Sequence, residues 1–135
     1  MALFSFPLLL VPFAIYNAIA FLMPGVGFTS PITSIQMASG SVWSMTAGDM
    51  LIAFAVLMLF VELLKATRTG ARNVVDHGLS LLLFIAMGVE FILVAQAATS
   101  TFFLLLVIGF VDVLGGFAVT LRSAQRDLTI DTLAR

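Results

Sequence analysis

The chain has 135 residues, of which 61% are hydrophobic and 10% are charged, and its mean hydropathy is +1.19. Ordinary soluble domains carry roughly 25% charged residues, so this composition excludes a soluble globule and indicates a single membrane domain spanning residues 1–135. The net charge of −1 says nothing about partners, and without a basic stripe no nucleic-acid partner is expected. The lack of cysteine excludes disulfides, thiolate metal sites and covalent haem attachment.

Four apolar runs are long enough to cross a membrane as helices. A crossing takes about 20 residues, and the runs cover about 5–23, 47–66, 74–98 and 101–121. A helix satisfies its own backbone polar groups in lipid. We therefore predict an all-α, polytopic bundle of four transmembrane helices embedded in the lipid bilayer.

The basic residues determine the predicted orientation of this bundle. They lie only between the second and third runs and after the fourth: Lys65, Arg68, Arg72, Arg122, Arg126 and Arg135. Positively charged loops stay on the cytoplasmic side of a membrane. We therefore predict a cytoplasmic N-terminus, a cytoplasmic tail over 122–135, and integration into a bacterial inner (plasma) membrane.

The first run carries a candidate packing face. Ala14 and Ala18 form a small-xxx-small pair, and Asn17 lies on nearly the same side of the helix. Small residues let helices approach closely, and amide side chains hydrogen-bond between helices. We predict that Asn17 bonds across a helix interface, with contact to a polar ligand as the alternative.

Residues 24–46 form an uncharged connection that is predicted to lie on the extracytoplasmic side. Pro31 suits the first turn of a helix and Gly40 suits its end. The pattern predicts a short helix over 31–39 along the membrane surface, with Trp43 in the interface. A lid folded over the bundle is the alternative.

Three acidic residues have local explanations. Asp49 follows Thr46 by three positions and Asp76 follows Asn73 in the same way, so both pairs predict helix-capping contacts. Glu62 precedes Lys65 by three positions, which predicts an ion pair at the membrane interface with the lysine extending toward water.

Glu90 and Asp112 have no such explanation, because no Lys or Arg lies within the core of any predicted span. Placing a charge at the bilayer centre costs about 2.5–3.5 kcal/mol or more, so we expect at least one of the two to hold a proton or a cation. With Glu90 about 12 Å from the outer end of its helix, their depths differ by roughly 7 Å. A contact between the two carboxylates, directly or through water, is therefore feasible.

The neighbours of these carboxylates suggest a path. Small residues that permit close helix approach lie within about 60° of Asp112 on its helix: Gly109, Gly115 and Gly116. A stripe on the third helix could carry protons or cations: Asp76, Ser80, Met87 and Glu90. Alternatively, the carboxylates only hold helices together or contact another protein.

Two hypotheses follow for function. The first is a small transporter or channel-like protein that uses Glu90 and Asp112 for proton or cation coupling, in a homo-oligomer because four helices enclose little space. The second is a non-catalytic structural or assembly subunit of a larger membrane complex. We expect no enzyme and no cofactor, since a single histidine, His77, builds neither a bis-imidazole haem site nor a three-ligand zinc site. Whether a metal ion binds stays open.

Overall fold

The computed structural model describes residues 6–67 and 71–134. In chain order the elements are α1 (Leu10–Leu22), β1 (Pro31–Gln36), β2 (Val42–Thr46), α2 (Ala47–Lys65), α3 (Ala71–Leu93) and α4 (Ser100–Ala134). Helices α2, α3 and α4 contain apolar stretches of 19, 20 and 20 residues, each long enough to cross a membrane. This fits the predicted multi-pass membrane protein, while α1 is a shorter apolar helix of 13 residues.

Some residues used in the predictions lie outside this description. Arg68 and Arg135, and the side chains of Arg72, Asn73 and Arg126, are not among the described parts of the chain. The predicted orientation and the predicted Asn73 cap therefore stay predictions.

Helix α4 packs against both α2 and α3. It runs parallel to α2, since Gly48 faces Thr101 near the start of both helices and Leu63 faces Gly115 further along. It runs antiparallel to α3, as expected from their short connection. The interior of the bundle therefore lies where α4 meets its two neighbours.

Helix α3 ends earlier than predicted. It stops at Leu93 rather than near residue 98, and a 3-10 turn over Ala95–Ala97 leads to the start of α4. The Thr99 hydroxyl accepts a hydrogen bond from the Phe102 backbone N–H at 3.1 Å and so caps α4. Helix α4 then continues without a break to Ala134 and so includes most of the residues predicted as a tail.

The helix predicted over 31–39 is wrong, because this segment forms a β-hairpin and the fold is mostly helical rather than all-α. Strands β1 and β2 pair antiparallel, with Ile35 opposite Trp43. Gly40 adopts φ 92° in the turn, where its N–H donates to the Met37 carbonyl at 2.9 Å. A glycine in this conformation is typical of three-residue hairpin loops. β-Branched residues favour the strands: Ile32, Thr33, Ile35 and Val42.

The segment 6–28 runs along the whole of α2 in the opposite direction. At one end the Phe6 carbonyl accepts a hydrogen bond from Lys65 Nζ at 2.9 Å. At the other end the Phe28 carbonyl accepts one from the Gly48 N–H at 3.0 Å. Gly48 and Lys65 lie about 25 Å apart along α2. The segment containing α1 is therefore as long as the neighbouring spans of the bundle.

Tyr16 fixes α1 near the hairpin end of the bundle. Its side chain is fully buried, and its hydroxyl donates to the Gln96 carbonyl at 2.8 Å and lies 2.7 Å from the Thr99 hydroxyl. Its ring stacks on Phe28 at 4.3 Å and meets Phe102 edge-on at 4.9 Å. Aromatic packing and hydrogen bonds thus join α1 to the connection between α3 and α4.

Candidate functional site

A group of polar side chains lies inside the bundle near the carboxyl end of α2. We call this group the polar cluster: Glu62, Lys65, Asp76, His77, Ser80 and Asp112. Its members come from α2, α3 and α4, and they surround a cavity of about 20 Å³ whose wall is completed by Ala66 and Gly116. A cavity of this size has space for about one water molecule.

Glu62 and Lys65 form the predicted ion pair, with Nζ 3.2 Å from Oε1. The expected extension of Lys65 into water is wrong, because both side chains are buried, at 5% and 6% exposure. The lysine instead donates to the Phe6 carbonyl, and Glu62 accepts a hydrogen bond from the Leu8 backbone N–H. The pair is therefore enclosed by the chain that leads into α1.

Asp112 reaches the same cavity from α4 and is only 5% exposed. The Ser80 hydroxyl hydrogen-bonds to its carboxyl group, and the charges of Glu62 and Lys65 act on it. Asp112 makes no salt bridge with any side chain that the structure describes, and the Lys65 ammonium is bonded to Glu62. Within this described part, it is a buried acid whose partner is a hydroxyl group.

The packing of α4 positions the cluster. The antiparallel register of α3 and α4 places Ser80 beside Asp112 and His77 beside Gly116. Asp76 and His77 are only half-buried and form the rim of the polar cluster. The three glycines predicted around Asp112 face side chains of neighbouring helices: Gly109 faces Phe84, Gly115 faces Leu63 and Gly116 faces His77.

Glu90 lies elsewhere, close to the end of the bundle that carries the hairpin. It is half-buried, and Asn17 Nδ2 donates to its Oε2 at 3.4 Å. Asn17 of α1 therefore bonds to α3, although the same Nδ2 also donates to the Phe13 carbonyl at 3.0 Å. Since α3 ends at Leu93, Glu90 is only about 5 Å from the helix end, not 12 Å as expected.

The contact between Glu90 and Asp112 that the sequence made feasible is not formed. Ser80, which contacts Asp112, is about 15 Å from Glu90 along α3. Buried apolar side chains fill the intervening layer of the bundle: Leu83, Met87, Leu105 and Ile108. Only the Asp76–Ser80 half of the predicted stripe therefore lines the cavity, and Met87 belongs to this apolar layer.

Two features of the site were missed from sequence. One is that Glu62 and Lys65 share a cavity with Asp112. Glu62, Lys65 and Ala66 lie on one helical face, which signals an inward-facing end of α2. The other is Tyr16, the single tyrosine of the chain, whose position in an apolar run indicates a buried hydroxyl that requires a partner.

The Thr46–Asp49 pair forms the predicted capping box. The Asp49 N–H donates to Thr46 Oγ1 at 3.1 Å, and the Thr46 N–H donates to Asp49 Oδ2 at 3.1 Å. Asp49 is exposed and remote from the polar cluster. Its role in stabilising the start of α2 is therefore local.

The charges of the polar cluster determine what it can do. Glu62 and Asp112 are buried carboxylates, whereas Lys65 is the single buried ammonium among the residues that the structure describes. Burying a carboxylate without a positive charge to balance it is costly. The polar cluster, with two buried carboxylates and one ammonium, is therefore suited to holding one proton or one cation. No group of three or more His, Asp or Glu side chains in the described ranges is placed to hold a metal ion.

No protein-family model, curated protein or solved structure matches this chain. The chemistry of the polar cluster is consequently the basis on which a function can be assigned.

Proposed function

We propose that the protein is a small integral membrane transporter or channel-like protein that uses the polar cluster for proton or cation coupling. The observation that carries this proposal is the excess of buried acid, with Glu62 and Asp112 enclosed beside one ammonium, Lys65. Ionisable groups at membrane depth are expensive and usually serve function. In the elementary step of this coupling, Asp112 binds and then releases one proton or one cation.

The protein crosses the membrane four times in this proposal. The support is that residues 6–28 extend along α2 from Lys65 to Gly48, so α1 and its flanking residues have the length of a fourth crossing. Both ends of the chain then lie on one side. The positions of the six basic residues support a cytoplasmic location for that side, in the proposed bacterial inner membrane.

Transport also requires a route past the apolar layer. Leu83, Met87, Leu105 and Ile108 separate the polar cluster from Glu90. A charge can pass this layer only if the helices rearrange or a second copy contributes a polar surface. We therefore propose a homo-oligomer in which Asn17 and Glu90 form the polar site on the opposite side.

The alternative function is a non-catalytic subunit of a larger membrane complex. It is favoured by the part of α4 that continues about 22 Å beyond Val119, the end of its apolar stretch. Large apolar side chains are exposed there: Leu121, Leu128, Ile130 and Leu133. Exposed apolar residues on a helix outside the membrane are suited to binding another protein.

Flux measurements in vesicles test the transport proposal. We expect the purified protein, reconstituted with a pH-sensitive dye inside, to pass protons under an imposed membrane potential or cation gradient. Asp112→Asn should reduce this flux at least tenfold, because the amide retains the shape of the side chain but cannot take up a proton or a cation.

Asp49→Asn is the matched control, since it changes an exposed carboxylate outside the cluster and keeps an acceptor for the Thr46 N–H. Its flux should equal that of the unmodified protein. Equal flux through the Asp112→Asn protein, or no flux in any gradient, would refute the transport proposal. A stoichiometric partner that is lost when residues 122–134 are removed would then support the alternative.

A further inference from the structure

We infer that the species taken up at the polar cluster is a proton, held on the carboxyl group of Asp112, and not a metal ion. This inference rests on the proposed function and names the species that the same site binds. Three features of the cluster carry it: a fixed ammonium, the lack of room and of ligands for a metal ion, and the fit of a protonated Asp112 to its surroundings.

The first feature is Lys65. Its ammonium is held inside the cluster by two hydrogen bonds, 3.2 Å to Glu62 and 2.9 Å to the Phe6 carbonyl. A metal ion in the cavity would lie beside this positive charge and be repelled by it. A proton on Asp112 instead neutralises the carboxylate of Asp112 and places no additional ion beside the Lys65 ammonium.

The second feature is the lack of room and of ligands. Ca²⁺ takes about 6–8 oxygen ligands and Mg²⁺ demands a near-octahedral set, usually keeping several waters. The cavity of about 20 Å³ has space for about one water molecule. Glu62 Oε1 already accepts hydrogen bonds from Lys65 and the Leu8 N–H, and no group of three His, Asp or Glu side chains in the described ranges is placed to hold a metal ion.

The third feature is the fit of a protonated Asp112 to its surroundings. Charged and titratable groups face it from α2 (Glu62 and Lys65) and from α3 (Asp76 and His77). With Glu62 paired to Lys65, a neutral Asp112 leaves the enclosed part of the cluster without net charge. A carboxylic acid both donates and accepts hydrogen bonds, so a protonated Asp112 keeps a hydrogen bond with the Ser80 hydroxyl.

Asp112 takes up its proton in a single transfer step. A hydronium ion at the half-buried rim of Asp76 and His77 transfers a proton to one oxygen of the Asp112 carboxylate. One O–H bond of the hydronium ion breaks, one O–H bond of the carboxylic acid forms, and a water molecule is left; release reverses this step. No other ion is required.

Infrared difference spectroscopy of the reconstituted protein tests the inference. We expect a carbonyl stretching band of a buried, protonated carboxylic acid at neutral pH. The band should shift in D₂O, disappear in Asp112→Asn and persist in Asp49→Asn. Adding Na⁺, K⁺, Mg²⁺ or Ca²⁺ should leave it unchanged.

Ser80→Ala provides a second variant that keeps the acid. It should shift the frequency of the same band, because the hydroxyl partner of the carboxyl group is removed. A band that a metal ion abolishes saturably, or the lack of any band assignable to Asp112 from acid to neutral pH, would overturn the inference. If that metal ion also drives flux, the proposed transport function stands and only the choice of a proton is refuted. If the Asp112 band is present but no gradient produces flux, only the transport function is refuted.

Discussion

Gly48 shows how close packing at one residue sets the geometry of two helices. A Cβ added there would lie 2.6 Å from Thr101 Oγ1 and 2.9 Å from the Phe28 carbonyl oxygen. Its N–H also donates to that carbonyl. The position therefore joins the start of α2 to α4 and to the chain that leaves α1.

Gly48→Ala is expected to destabilise the protein by about 1–3 kcal/mol, because overpacking forces neighbouring backbone to move. Gly88→Ala is the matched control, since a Cβ there meets nothing within 4 Å. It should be neutral or stabilising by up to about 1 kcal/mol through helix propensity. Denaturant unfolding in mixed micelles measures both variants, and equal effects would contradict the close contact at Gly48.

Local residue patterns were predictable, whereas contacts between distant residues were not. The Thr46–Asp49 cap and the Glu62–Lys65 pair each lie within one helical turn, so sequence spacing alone indicated them. The neighbours of Asp112 depend on the register of α4 against α2, which spacing along the chain does not determine. This is why a contact between Asp112 and Glu90 was feasible from the sequence and absent from the structure.

At the scale of elements, α1 is attached to the bundle by polar contacts at two levels. Its amino end meets the Glu62–Lys65 pair through the backbone of Phe6 and Leu8. Further along, Asn17 reaches Glu90. The ion pair of α2 therefore also positions the helix that precedes it.

A double-mutant cycle tests this attachment. Lys65→Met leaves Glu62 buried without its cation, which typically costs about 3–5 kcal/mol. Glu62→Gln keeps an acceptor for the Leu8 N–H. We expect the double variant to be more stable than the sum of the single changes by about 1–3 kcal/mol. Leu64→Met changes an exposed neighbouring side chain and is the control, which should have little effect on stability. If the stability changes of the two single variants add strictly in the double variant, Glu62 and Lys65 are not coupled.

The ends and types of elements were less predictable than their existence. Apolar composition located α2, α3 and α4, but the apolar run of α3 continues through Val94 after the helix has stopped at Leu93. Hydropathy marks membrane-compatible residues and does not mark helix ends. For the hairpin, proline and glycine fitted a helix start and stop as well as a strand start and a turn.

At the scale of the whole molecule, the bundle has two polar sites at different levels with an apolar layer between them. The polar cluster lies near the carboxyl end of α2, and Asn17 with Glu90 lies toward the hairpin. A multi-pass membrane protein followed directly from composition. The separation of the two sites depends on helix packing and so required the structure.

Both proposals place the polar cluster inside a membrane bundle whose first helix crosses beside α2. Labelling of single cysteines in intact cells tests this placement most directly, and the natural chain contributes no background because it has no cysteine. Suitable positions are Ser5, Ser39, Thr67 and Thr132. We predict that an impermeant maleimide reacts with Ser39→Cys only, while the other three react after the membrane is opened. Labelling of Ser5→Cys together with Ser39→Cys would contradict the crossing, because Phe6 could not then reach Lys65.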